Sequence, residues 1–142
     1  VIRLVYDPET FEADLGRADD GGVEEGRELE TAVLISLLTD RRVSESEVPE
    51  GQSRAGWWGD AYADEEGDEI GSRLWLLERG TDVPDAPVRA AAYAREALRW
   101  LVDDGLATDV TATARRLRPG VLLIEPVIHL LDGTIVRYEV EV

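Results

Sequence analysis

Apolar and polar positions alternate with a period of two at both ends of this chain and follow a helical period between them. Ile2, Leu4 and Tyr6 alternate with Arg3 and Val5, and Phe11, Ala13 and Leu15 alternate again after Asp7-Pro8-Glu9-Thr10. Two alternating runs joined by turn residues predict a short N-terminal hairpin. From Gly16 to Gly26 the chain is dominated by Gly, Asp and Glu and can bury little, which predicts a mobile surface loop. Leu29, Val33 and Leu37 then recur at i, i+4 and i+8, with Ala32 and Ser36 on the same face. Leu34, Ile35 and Leu38 fill much of the remaining circumference, so this helix is buried on several sides or shared with a partner. Glu28 and Glu30 near its start and Arg41 and Arg42 at its end complement the helix dipole.

Val43 to Ser53 reads as a polar connector containing Pro49-Glu50-Gly51. The acidic run Asp64-Glu65-Glu66-Gly67-Asp68-Glu69 leads into a helix expected from about Asp68 to Arg79, with Ile70, Leu74 and Leu77 as its stripe. Gly71 would let a neighbouring backbone come close. Two prolines between Thr81 and Pro87 break the chain, and a long helix is expected from about Pro87 to Asp104. Its stripe reads Ala91, Ala94, Leu98, Leu101 and Val102, flanked by Tyr93, Ala97 and Trp100, and Gly105 is the natural stop. Leu106 to Arg115 alternates, and Val121–Leu131 and Thr134–Val142 flank Asp132-Gly133, a strong hairpin signal. The fold class is therefore α+β, a small antiparallel sheet of N-terminal strands and C-terminal hairpin packed against about three α-helices. At 142 residues, one domain over 1–142 is expected, with acidic loops at about 16–27 and 43–69.

Charge narrows the partners. A formal charge of −16 argues against nucleic acid and anionic membrane surfaces and favours a basic protein surface. Residues 1–30 carry ten acids against three arginines, whereas the final 38 carry five against four, so the sheet-forming end is nearly neutral. All 15 basic residues are arginine; a GC-rich coding sequence and arginine's rigid fork at interfaces both account for that. The absence of cysteine removes disulfides, thiolate metal sites and cysteine nucleophiles. No apolar run approaches the roughly 20 residues of a membrane span. Val1 opens neither a basic nor an apolar leader segment, so the expectation is a protein soluble and intracellular when made.

Chemistry is sparse. Read as a calcium loop from Asp60, the acidic run has Tyr62 at position three, Glu65 where glycine is needed and Gly71 where the bidentate glutamate is needed. It reads instead as a solvated loop, with no metal expected. A glycosidase needs two carboxyls across a cleft. Glu78, between Leu77 and Arg79, is the best candidate for a buried carboxylate, with a structural pairing to Arg79, Arg73 or a partner's arginine. His129, the only histidine, lies in an apolar strand with no nucleophile motif to serve. No phosphate-binding glycine loop is present, so no nucleotide cofactor is expected.

Two stretches stand apart: Gly56-Trp57-Trp58-Gly59-Asp60, and Gly71-Ser72-Arg73-Leu74-Trp75-Leu76-Leu77-Glu78-Arg79. Adjacent tryptophans between glycines either cap the chain's own core or anchor a neighbour, one ring turned each way. With Leu29 to Arg42 upstream, these runs resemble the small baseplate wedge protein of Mu-like contractile phages. That family is distantly similar to the lysozyme-like baseplate subunit of other contractile tails and type VI secretion systems. The resemblance spans most of the chain, from Val1 to the last strand. It implies a non-enzymatic structural subunit of the virion tail baseplate, assembled in the bacterial host cytoplasm. Its partners would be other wedge proteins and sheath or tube proteins in a sixfold hetero-oligomer, without nucleic acid or membrane. The distant relatives carry a Glu-Pro-Arg signature, whose nearest equivalent here is read as Leu77-Glu78-Arg79. The expected interface comprises Leu29, Val33, Leu37, Trp57, Trp58, Asp60, Arg73, Trp75, Glu78, Arg79, Tyr138 and Val140, with Thr134–Val142 as the strand to which sheath adds. Two alternatives remain open: a carboxylate-dependent cell-wall hydrolase carried on a tail, and a free acidic adaptor protein.

Overall fold

Alternation at the two ends of the chain builds a single sheet. The computed structural model describes residues 2–7, 12–16, 25–56, 69–77 and 83–142. Strands β1 (Ile2–Asp7) and β2 (Glu12–Gly16) form the N-terminal hairpin. Strands β3 (Ala107–Arg118), β4 (Val121–Leu130) and β5 (Ile135–Glu141) form a three-stranded antiparallel meander. The two parts join through β1 and β5, which run parallel, Ile2 opposite Tyr138 and Leu4 opposite Val140. The order across the sheet is β2-β1-β5-β4-β3. An all-antiparallel sheet is thus corrected to a mixed one. Strand β5, expected to offer its edge for strand addition, is an inner strand with a ladder on each side.

Two helices of three or more turns cover one face. Helix α1 (Glu25–Leu38) starts inside the stretch expected to be loop and ends before Arg41 and Arg42, which lie in the extended segment beyond it. Their expected action on the α1 dipole is therefore corrected. Residues 17–24 of the expected mobile loop lie outside the described residues. Helix α2 (Ala86–Ala97) carries Pro87 in its first turn, where a missing N–H costs nothing. It does not run on to Asp104. Leu101 N and Val102 N donate to the carbonyls of Leu98 and Arg99, three residues back, and a one-turn helix α3 (Trp100–Asp103) follows. This tightening lets Leu98 and Leu101 both face the sheet. Gly105 (φ +72°) then stops the helix, with Leu106 N donating to Leu101 O and Gly105 N to Val102 O.

The third expected helix is absent from its place. Of residues 68–79, only Leu74–Leu77 is helical among those described, as one 3₁₀ turn. The α+β class holds, with two helices of three or more turns against the roughly three expected.

The core lies between the helices and the inner face of the sheet. Leu122, Ile124, Pro126 and Ile128 of β4 point inward, joined by Val110, Tyr138 and Val140 from the flanking strands. From the helices come Val33, Leu37, Ala86, Ala90, Ala94, Ala97, Leu98 and Leu101. The buried line of α2 thus runs through Ala90 and Ala97 rather than Ala91, and Val102 is exposed. Four alanines let the helix settle close to the strands. Proline is uncommon in an inner strand because it cannot donate to the ladder. Accordingly, the β4–β5 register pairs Ile124 with Val140 and Val127 with Arg137, and skips the two positions between. Among the described residues no helix is long and apolar enough to cross a membrane.

Candidate assembly interface

The run Gly71 to Leu77 folds across the C-terminal end of α1. Ser72 N donates to Thr39 O (2.8 Å) and Arg41 N to Ser72 O (2.9 Å), a single parallel bridge of Asp40 with Ser72. The Ser72 hydroxyl donates to Leu37 O (2.6 Å), satisfying one of the carbonyls that a helix end leaves without a partner. It also accepts from Leu74 N (3.2 Å), starting the 3₁₀ turn. Gly71 is required twice over: its φ is +105°, and a Cβ there would sit 2.4 Å from Thr39 O. The close approach expected of Gly71 is therefore observed. Trp75 Nε1 donates to Arg41 O (2.9 Å), so this half-buried tryptophan spends its polar handle on the chain's own backbone.

Arg73 ties three elements together. Its Nη1 donates to Glu47 Oε1 (2.6 Å), beside the 3₁₀ turn Glu45–Glu47, and its Nε lies 3.3 Å from Glu96 Oε2 on α2. The Ser44 hydroxyl and backbone N–H both donate to Glu47 and hold its carboxyl below the usual range. Arg41 Nε donates to Glu69 (3.3 Å). The expected connector returns along Val43, with Val43 N donating to Arg54 O (3.1 Å) and Arg54 Nε to Val43 O (2.6 Å). Gly56 (φ +105°) is pressed against Arg42, whose Cβ would be 2.6 Å from an added methyl. Helix α3 is tied to α1 by Trp100 Nε1, which donates to the Ser36 hydroxyl (2.9 Å), itself bonded to Ala32 O (2.8 Å).

The expected interface residues separate into three groups. Val33, Leu37, Tyr138 and Val140 are buried in the chain's own core, with Leu29 packed partly against it, so in this chain their side chains face inward. The outward apolar side chain of α1 is Ile35. Arg73 and Trp75 stand together at the joint just described. Trp57, Trp58, Asp60, Glu78 and Arg79 lie outside the described residues.

Among the described residues two carboxylates are buried that the sequence does not single out, while Glu78 lies outside those residues. Glu30 on α1 is buried near Tyr138, whose hydroxyl is pushed up to about 12, first by burial and then by the charge of Glu30. The signal was available: Glu30, Val33 and Leu37 share one helical stripe. Glu141 is buried on the other face of the sheet, 3.4 Å from Arg118. The only Glu-Pro dipeptide of the chain is Glu125-Pro126 in β4; Glu78 and Arg79, set against the Glu-Pro-Arg signature, lie outside the described residues. Arg115 Nε, across on β3, lies 3.6 Å from Glu125. His129 is half-buried in β4, opposite Asp109 on one side and Ile135 on the other. Among the described residues no group of three His, Cys, Asp or Glu side chains is placed to hold a metal ion.

The sequence model of the family described as Phage protein GP46 matches residues 29–135, from α1 to the start of β5. The chain belongs to the GP46 phage protein family. Within it, the chain is 45% identical over 113 residues to a protein named Baseplate protein gp46 from Escherichia phage Mu, covering 78% of this chain and 76% of the relative. It is 44% identical over 106 residues to the Mu-like prophage FluMu protein gp46 of Haemophilus influenzae, covering 75% and 71%. The GP46 match takes in the whole joint around Ser72, the α2–α3 cover and the β3–β4 pair, while β1 and β2 precede it.

Proposed function

We propose that this chain is a structural subunit of a contractile-tail baseplate, joining wedge proteins in a sixfold ring and helping to start the sheath at the tube–baseplate junction. One observation carries the reading: 45% identity, over most of both chains, to a phage Mu protein named for the baseplate. The contact surface of the subunit is the joint of Arg73 and Trp75 together with the Trp57–Asp60 and Glu78–Arg79 segments. Sheath adds as a strand at β3 rather than β5. Strand β3 is 12 residues long and, among the described residues, pairs on one side only. Such an edge is a ready template for another chain's backbone.

Reconstitution tests this. Co-expression with the neighbouring tail proteins is expected to give a complex that sediments as a wedge. Thr111→Pro, on the β3 edge, is expected to leave that complex intact while sheath no longer polymerises on it. Wedges that assemble equally well without this chain would overturn the structural role. Cell-wall lysis by the purified protein, lost in Glu78→Gln, would establish the hydrolase instead.

A further inference from the structure

We infer that the outer face of the sheet, at the end formed by the β4–β5 hairpin, docks an amphipathic segment of another polypeptide whose aliphatic side chains are flanked by Arg or Lys. Ala107 and Leu130 are register partners with side chains in or against the core, so Leu106 and Leu131 flank that pair on the outside. Next to them His129 pairs with Ile135, on the face opposite the core-facing Ile128. Leu131 is 65% exposed, Leu106 50% and Ile135 46%, three of the seven large exposed apolar side chains among the described residues. Gathered in one place, they form the kind of patch that marks an interaction site.

Folding accounts for Leu106 but not for Leu131 or Ile135. Leu106 follows Gly105 at the helix stop, where an apolar residue is common. Leu131 occupies a turn position that a polar residue would fill as well, and Ile135 faces away from the core. The tip is held rigid for presentation: Gly133 N donates to Leu130 O (3.1 Å), Leu130 N to Thr134 O (2.8 Å) and Thr134 N to Asp132 Oδ1 (2.8 Å). Four exposed acids lie near the patch in sequence and register, against one arginine, Arg137, two residues beyond Ile135 on the same face. The acids are Asp103 and Asp104 before Leu106, Asp109 opposite His129, and Asp132 beside Leu131. Of these, Asp103 has Arg99 within 3.7 Å. Basic flanks on the occupant match this rim, and a second copy of a chain carrying −16 does not. The surface is a sheet face rather than the β3 edge, so it stands apart from the sheath-docking reading.

The test is calorimetric titration of the full chain with a synthetic helix bearing Leu at i, i+3, i+4 and i+7 between arginines. Saturable one-to-one binding is expected, weakened roughly tenfold or more by Leu131→Ser with Ile135→Ser, since each buried aliphatic side chain contributes on that scale. Val88→Ser, which removes the isolated, 73% exposed valine of α2, is expected to change nothing. Asp109→Asn is expected to weaken binding at low salt more than at high salt. No saturable binding, equal binding by all variants, or equal affinity for a glutamate-flanked helix would overturn the inference. So would a dimer of the free chain that Leu131→Ser dissolves, which would assign the patch to a second copy.

Discussion

The α2–sheet layer and the joint at Ser72 are held in opposite ways. The layer is apolar: alanines and leucines of α2 and α3 lie on alternate residues of β3, β4 and β5, and the stabilisation scales with area removed from water. The joint buries fewer apolar side chains, chiefly Val43, Leu74 and Leu77 with Trp75 half-buried. Its shape comes from directed bonds, with Ser72 satisfying both the end of α1 and the start of the 3₁₀ turn. Burial tolerates small displacements, whereas a bond to a helix-end carbonyl does not. The layer therefore sets how stable the chain is, and the joint sets where its irregular segment stands.

Substitutions can break that contrast. Leu98→Ala empties a fully buried site in the layer and is expected to cost about 2–5 kcal/mol in denaturant unfolding. A cost no larger than at the joint would refute the division. Tyr138 puts a titrating group in the layer. Its folded pKa is raised from 10.0 to about 12, so its contribution is intact below pH 10 and falls as pH rises toward 12, because the unfolded chain loses the proton first. The loss is on the order of 3 kcal/mol. Tyr138→Phe should flatten this alkaline limb of stability, and a limb that persists would point to another group.

At the joint, Gly71→Ala is expected to cost roughly 1–3 kcal/mol from its backbone conformation alone, with the contact to Thr39 O added. Hydrogen exchange should rise at Arg41 and Ser72 and stay unchanged in β4. Ser72→Ala removes both hydroxyl bonds for about 1–3 kcal/mol, with the same local exchange pattern. Arg73→Gln is the smallest, under about 1 kcal/mol because its ion pairs are partly solvated. If it nevertheless loosened the Glu45–Glu47 turn in exchange, position rather than stability would be confirmed as the function of that arginine.

Legibility followed the same line. Periodic segments could be read: α1, most of α2, and the β3–β4–β5 meander with its Asp132-Gly133 turn. The run 68–79 could not, because Leu74 and Leu77 have helical spacing and nothing local shows that Ser72 is committed to Leu37 O, 35 residues away. The break at Leu98 was hidden for a related reason, since Leu98 and Leu101 fit one helix until both must reach the same sheet. Parallel pairing of β1 with β5 was equally invisible, because alternation specifies a face and leaves the neighbour open. Of the candidate interface, the sequence set the Gly71–Leu77 run apart, and that run forms the Ser72 joint. The sequence also marked α1 and β5 side chains that the core takes up, because an apolar stripe looks alike whether it faces its own sheet or a neighbour.

The parallel pairing also constrains the order of synthesis. Ile2 finds its partner only when Tyr138 has been made, so the N-terminal hairpin leaves the ribosome long before the strand that seats it. Until then, a two-stranded ribbon must wait without a sheet, in a state too small to be stable alone. Closing so long a loop is slow. Chains cut short before β5 are then expected to leave β1 and β2 without a sheet to join.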